Sequence, residues 1–169
     1  MILLHVHPSP VGTLRTATLD DRLVALDFDE FEPRLLTTLA ARIPAWSVAP
    51  GTAPVWLSEA LERYFDGAVD ALDDAPLDDR GTDFERAVWA ALRTTPAGRT
   101  STYGAVAAAV GRPGAARAVG RANGRNPVAL FTPCHRIIGA SGALVGYGGA
   151  AWRKRWLLDF EARHASATG

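Results

Sequence analysis

Residues 132 to 139 read TPCHRIIG and hold the only cysteine of this 169-residue chain, followed at once by a histidine and an arginine. A thiol becomes a strong nucleophile when an imidazole, a cation or a helix N-terminus stabilises its thiolate. All three lie within reach of Cys134, because His135 and Arg136 are adjacent to it and Pro133 is suited to begin a helical turn. Adjacent side chains point apart in a strand and do not face each other in a helix, so Cys134 and His135 are expected to communicate through a water. A lone cysteine is equally consistent with a small buried residue at a strand end, and only its surroundings can decide. An acid to orient His135 is scarce: beyond residue 80 there are only Asp83, Glu85, Asp159 and Glu161, of which the last two lie on the final predicted helix.

The charge pattern supplies the first of those surroundings. Residues 1–80 carry 6 Arg against 14 Asp or Glu, a net of −8, whereas residues 81–169 carry 12 Lys or Arg against 4 acids, a net of +8. Between Glu85 and Asp159 there is no acidic residue, while eleven Lys or Arg fall in the interval. A solvated basic face is the plain explanation, but so long a stretch without a balancing acid fits a surface that meets polyanionic phosphate. Hydrophobic residues make up 48% of the chain, enough for a packed core. One cysteine excludes an internal disulfide and a cysteine-based zinc site. The opening MILLHVHPSP lacks the basic flank and cleavage pattern of a signal peptide, and no run reaches membrane-spanning length, so a soluble, cytoplasmic protein is expected.

Two kinds of element must position the thiol. In residues 1–30, short apolar runs alternate with turn signals (MILLHVH, SPVG, TLRTATL, DD, RLVALDF), which predicts two or three antiparallel strands. Helical spacing follows over Pro33–Ala41 and Val55–Phe65, and then GAVDALDDAPLDDRG reads as an acidic linker. This places a domain boundary between residues 79 and 80.

The second half reads as short helices. Thr82 and Glu85 form a capping box for a helix with Phe84, Val88, Trp89 and Leu92 inward; Thr102 caps Tyr103–Val110; and a GRPG turn leads to Ala115–Asn123. Two short helices about a glycine-containing turn, the second with Arg117 and Arg121 one turn apart, have the form of a helix-turn-helix, although a plain helical hairpin has the same outline. VALFT is then a strand candidate, GASGALVGYGGA a glycine-rich hairpin or wing, and about Ala151–Arg163 a last helix.

With these elements in view, TPCHRIIGASGALVGYGGA resembles the active-site segment of the O6-alkylguanine-DNA alkyltransferases. The resemblance extends upstream through RGTDFERAVWAALRTTPAGRTSTYGAVAAAVG and GAARAVGRANGRNPV and downstream to WLLDFE, covering roughly residues 80–161. It implies an α+β fold in two subdomains: an N-terminal ribonuclease-H-like α/β unit, and a mainly helical C-terminal domain, residues 80–169, with a winged helix-turn-helix. It also implies flipping of a damaged base from double-stranded DNA and one irreversible transfer of the O6-alkyl group of guanine, or the O4-alkyl group of thymine, to Cys134. In that chemistry His135 is the base through a water, Glu161 orients the imidazole, Tyr103 donates to the departing guanine, and Asn126 ties the recognition helix to the cysteine loop. Arg117 fills the gap in the base stack, with Ala116, Ala118, Arg121 and Arg136 beside it at the DNA, while Tyr147, Gly148 and Gly149 wall the guanine pocket. No cofactor or metal is required, and a monomer is expected.

The chain departs from the family's pattern in three places. Gly148 stands where many members have serine, and Thr95 and Ala97 replace residues more often apolar and polar. The cysteine cluster that some bacterial relatives use for metal-dependent sensing is absent, which argues against a regulatory role. Two other readings compete. A non-catalytic alkyltransferase-like lesion binder would lack Cys134, and a cysteine hydrolase would give no reason for a basic helix-turn-helix.

Overall fold

A computed structural model describes residues 1–44, 46–144 and 146–168, with side chains through residue 165. The chain forms two compact units: Met1–Arg80 joined by Pro127–Ala129, and Gly81–Asn126 joined by the chain from Leu130 onward. The class is mixed α+β.

In the first unit β1 (Ile2–His7), β2 (Leu14–Leu19) and β3 (Arg22–Phe28) form the expected antiparallel meander. The hairpin between β2 and β3 turns on Asp20 and Asp21, both at positive φ (50° and 62°), the backbone that a two-residue hairpin with right-handed strand twist requires. A fourth strand, β4 (Val48–Pro50), joins parallel to β1 and gives the order β3-β2-β1-β4. It was not expected, because three residues ending in proline carry no period. Helix α1 (Glu32–Arg42) buries Leu35 and Leu39 against Ile2, Ala17, Val24 and Ala25. Helix α2 spans Val55–Phe65 as its spacing predicts and buries Leu57, Ala60, Leu61 and Tyr64. His5 is buried, donating from Nδ1 to the Gly51 carbonyl at 2.9 Å, so its Nε2 accepts from the Thr18 hydroxyl at 2.8 Å.

The acidic stretch 67–80 is not a free linker. Val69 and Leu72 are buried, and the backbone runs along the outer edge of β3, with Leu23 N donating to Pro76 O (2.9 Å) and Asp78 N to Leu23 O (2.9 Å). The VALFT strand also fails to form. Only Val128 bridges to the sheet, opposite Leu26, and Leu130 turns the chain away at φ 71°. The two short attachments cover the edge of β3, a position that would otherwise offer unpaired backbone groups.

In the second unit the capping box at Thr82 and Glu85 is complete and opens α3 (Asp83–Arg93). Thr102 caps α4 (Tyr103–Ala109) by accepting from Ala105 N, and α5 (Ala116–Gly124) packs on both α3 and α4. A parallel pair that the residues did not announce links β5 (Ser101–Thr102) to β6 (Ile137–Ile138). In the glycine-rich segment Gly139 and Ala143 close a tight turn; the remainder of the predicted wing includes position 145, which lies outside the described residues. The last helix, α6, runs Ala151–Thr168, further than expected. No helix among the described residues is long and apolar enough to cross a membrane.

Trp89 fastens this unit: it is buried on α3 and its indole N–H donates to the Ala122 carbonyl of α5 at 2.9 Å. Replacing Trp89 with Phe removes that bond and part of the packing, so urea unfolding should show a loss of about 1–2 kcal/mol.

Candidate active site

The cysteine segment is built by a local fold. Pro133 (φ −81°, ψ 67°) is the cap of a single 3-10 turn, Cys134–Arg136, in which Arg136 N donates to Pro133 O at 3.0 Å. Cys134 N donates to Thr132 O at 2.8 Å, and the side chain of Asn126 donates to that same carbonyl at 2.8 Å. Asn126 thereby closes the loop between the end of α5 and the cysteine. The turn runs straight into β6, while β5 runs straight into Tyr103, so the register Ser101↔Ile137 and Thr102↔Ile138 brings Tyr103 beside the cysteine turn.

Behind the thiol, His135 Nε2 and Glu161 Oε1 are 2.8 Å apart and both side chains are fully buried. A carboxylate can only accept, so Nε2 carries the proton and Nδ1 is the basic nitrogen. Nδ1 is buried and makes no hydrogen bond to any described residue. Arg136 grips the same carboxylate from a second side, donating from Nε to Oε2 (2.9 Å) and from Nη2 to Oε1 (2.9 Å), and its Nη1 donates to Thr95 O at 2.7 Å. Burial pushes the Glu161 carboxyl upward, but the charge and hydrogen bond of His135, followed by those of Arg136, outweigh it and hold the group well below the ordinary carboxylate range.

Arg136 therefore differs from its expected role. It is 4% exposed with its guanidinium committed to Glu161 and Thr95, which makes it an internal strut rather than a DNA contact. Arg117 and Arg121 are exposed on α5, and Ala116 and Ala118, on either side of Arg117, are partly exposed. Tyr147 is half-buried, Gly148 exposed and Gly149 buried in the loop before α6.

Three residues that the sequence reading passed over belong to the site. Lys154 is fully buried, donates to the Ile137 carbonyl and is attracted to Cys134; burial lowers its pKa, and the cysteine's negative form works against that shift. Its place in a run of three basic residues gives no sign of burial. Asn123 is buried at the end of α5, and its side chain bonds the Tyr103 phenol. Burial and then the negative charge of Cys134 raise the Tyr103 pKa, and Asn123 partly offsets them. Gly146, at φ 73°, leaves the space that the phenol fills, since a Cβ there would lie 2.7 Å from the Tyr103 hydroxyl. Among the described residues, the groups that converge are a thiol, an imidazole held by a carboxylate, a phenol and an ammonium. That set suits attack by sulfur on an electrophilic carbon, with proton donors for the leaving group.

Comparison with known proteins decides the assignment. Residues 83–163 match the family model "6-O-methylguanine DNA methyltransferase, DNA binding domain". A methylated-DNA–protein-cysteine methyltransferase of Mycolicibacterium paratuberculosis is 44% identical over 170 residues, covering 99% of this chain and 97% of the relative. The chain belongs to the methylated-DNA–protein-cysteine methyltransferase family. The Mycobacterium tuberculosis member is 52% identical over 122 residues, 72% of this chain and 73% of the relative. A crystal structure of Mycobacterium tuberculosis O6-methylguanine methyltransferase superposes with TM-score 0.81 at 44% identity, covering 97% of this chain and 94% of that one. A crystal structure of Mycobacterium tuberculosis OGT in complex with DNA superposes with TM-score 0.80 at 40% identity, covering 96% and 94%. Members of this family are methyltransferases that move the group to their own cysteine, and this chain is one of them.

The depressed pKa of Glu161 carries a sign. Its contribution to stability is fully present above the unfolded value of 4.5 and is lost as pH falls through the lower folded value. Urea midpoints of the wild type should therefore drop on going from pH 7 to pH 3.5. Glu161→Gln strips the buried Arg136 of its partner, so at pH 7 it should cost about 3–5 kcal/mol and show a flatter pH dependence below the carboxylate range.

Proposed function

We propose that this methyltransferase repairs DNA directly, taking the alkyl group of O6-alkylguanine, and of O4-alkylthymine, onto Cys134 in a single turnover. The buried relay Cys134, His135, Glu161 carries this reading. The thiol proton passes through a water to His135 Nδ1, and Glu161 stabilises the imidazolium that forms. The sulfur attacks the alkyl carbon; the S–C bond forms as the C–O6 bond breaks, and the electron pair leaves on guanine. Tyr103, a phenol and so protonated at neutral pH, supplies the proton that neutralises the leaving base. The product is a thioether, which nothing in this chain reverses, so each molecule acts once.

DNA is the partner this reading requires. Helices α4 and α5 act as a helix-turn-helix, with the glycine-rich segment after β6 as its wing and α5 entering the groove. Arg117 takes the place of the flipped base, and Ala116 and Ala118 beside it leave room for the backbone to approach. Arg121 contacts phosphate, Tyr147 to Gly149 hold the extruded guanine, and Gly148 can offer only its backbone. The first unit is read as ribonuclease-H-like, and the protein as a cytoplasmic monomer.

Incubation with a duplex carrying O6-methylguanine should add one methyl group to the peptide containing Cys134, as read by mass spectrometry, and Cys134→Ser should abolish the gain. An unchanged mass with tight lesion binding would instead establish a non-catalytic lesion binder. Arg117→Ala should slow reaction on the duplex by about ten- to a hundredfold, the effect of losing a few kcal/mol of base-flipping assistance. It should leave reaction with free O6-benzylguanine nearly unchanged, and equal losses on both substrates would refute the intercalating role.

A further inference from the structure

The loop that precedes α6 is held by a side chain that takes no part in the thiol, imidazole and carboxylate relay. Gly149 is buried, and its carbonyl accepts a hydrogen bond from Arg153 Nη1 at 2.9 Å. Arg153 is 4% exposed, its guanidinium carbon 4.8 Å from the centre of the Trp152 ring. A long cationic side chain at a helix start is normally solvated, so burying one to serve a loop carbonyl asks for a reason.

The loop itself is under constraint. Ala150 sits at φ 85°, in the left-handed region that a residue with a Cβ occupies only at a cost on the order of 1–2 kcal/mol. Its neighbours determine that conformation. Ala150 N donates to Tyr147 O (3.3 Å), and Ala150 O accepts from both Arg153 N (3.2 Å) and Lys154 N (3.3 Å). At the other end Gly146 abuts the Tyr103 hydroxyl, leaving no space for a side chain. Residues 146–150 are therefore pinned at Tyr103, at the first turn of α6, and, between those points, by the guanidinium of Arg153.

We propose that Arg153 is a positioning residue that sets which alkyl groups the site accepts, by locking residues 146–150 in one conformation. This rests on the reading of Tyr147 to Gly149 as the wall of the base pocket. A wall fixed at a backbone carbonyl recedes less readily for a larger substituent. The lock therefore favours small groups, and releasing it admits bulky ones.

The test compares rates of transfer from O6-methylguanine and O6-benzylguanine placed in the same duplex, using wild type, Arg153→Met and Arg153→Lys. Methionine keeps an apolar stem and offers no donor; lysine keeps one cationic donor without the planar fork. The benzyl-to-methyl rate ratio should rise about tenfold in Arg153→Met, the size of effect a pocket wall exerts on hydrophobic bulk, and Arg153→Lys should restore part of the discrimination. A ratio that stays constant, with both rates falling together, would show a merely structural role and overturn the proposal, as would a shift toward methyl. If Arg153→Met does not fold, Arg153→Gln carries the same comparison with the same outcomes. Should the wild type transfer neither group, the functional reading itself fails, and the lock is judged by amide hydrogen exchange over residues 146–150. Faster exchange in Arg153→Met upholds the lock, and unchanged exchange overturns it.

Discussion

The carboxylate of Glu161 is the group on which the site depends. An ionised carboxylate without water is among the costliest things a fold can contain, and it persists here because His135 and Arg136 together satisfy it. Both partners come from the one 3-10 turn that also carries Cys134, so neutralising a single charge fixes the orientation of the turn against α6. The third donor of Arg136, to Thr95 O, extends the same restraint to the loop after α3. Gly98, in that loop, packs so close to Ala165 that a Cβ would lie 2.6 Å from it. One buried anion thus gathers the cysteine turn, the loop after α3 and the last helix, and sets the imidazole's tautomer as it does so.

This use of acids sharpens the meaning of the charge pattern. Of the four carboxylates beyond residue 80, Glu161 is spent on the relay, and Glu85 is 8% exposed, shared between the Thr82 backbone and Arg125. Only Asp83 and Asp159 remain exposed at the surface of the second unit. Burying Glu85 and Glu161 makes the surface that phosphate would meet more positive, and burying Arg153 and Lys154 makes it less so. Arg136 acts as those two cations do, since a cation counted toward the basic face is in fact internal. The exposed arginines of α5, Arg117 and Arg121, keep that helix basic.

How far the residues could be read depended on whether a signal was local. Capping at Thr82 and Thr102 involves side chains acting within three residues of themselves, and both caps form. Helix α2 shows its apolar stripe over three turns and is found where its spacing puts it. The features missed are those made by distant partners. Three-residue β4 has no period of its own and exists only because β1 supplies its hydrogen bonds. The acidic stretch 67–80 has the composition of a linker, yet Val69 and Leu72 anchor it and its backbone finds the edge of β3. Arg136, Arg153 and Lys154 look like surface because basic residues usually are, and only tertiary structure supplies the carboxylate and carbonyls that bury them. Asn126 could be picked out through its family spacing, whereas Asn123, three residues earlier and equally polar, could not, because nothing local marks a side chain that bonds a phenol on another helix.

The surroundings of Tyr103 show how the proposed chemistry and the packing constrain each other. A phenol that must give a proton to a departing base is protonated beforehand at neutral pH, and burial together with the negative charge of Cys134 holds that proton more tightly still. That second influence disappears during the reaction. Once sulfur is bonded to the alkyl carbon its charge is gone, while the charge on the leaving base has grown. The force that held the proton on oxygen weakens as the need to release it rises, so the phenol becomes a better acid in step with bond breaking. Asn123, which bonds the phenol and lowers its pKa, supports the same release without itself changing charge. The phenol must stay near the sulfur for this coupling to operate, which accounts for the short β5–β6 ladder that leads into Tyr103 on one side and out of the cysteine turn on the other.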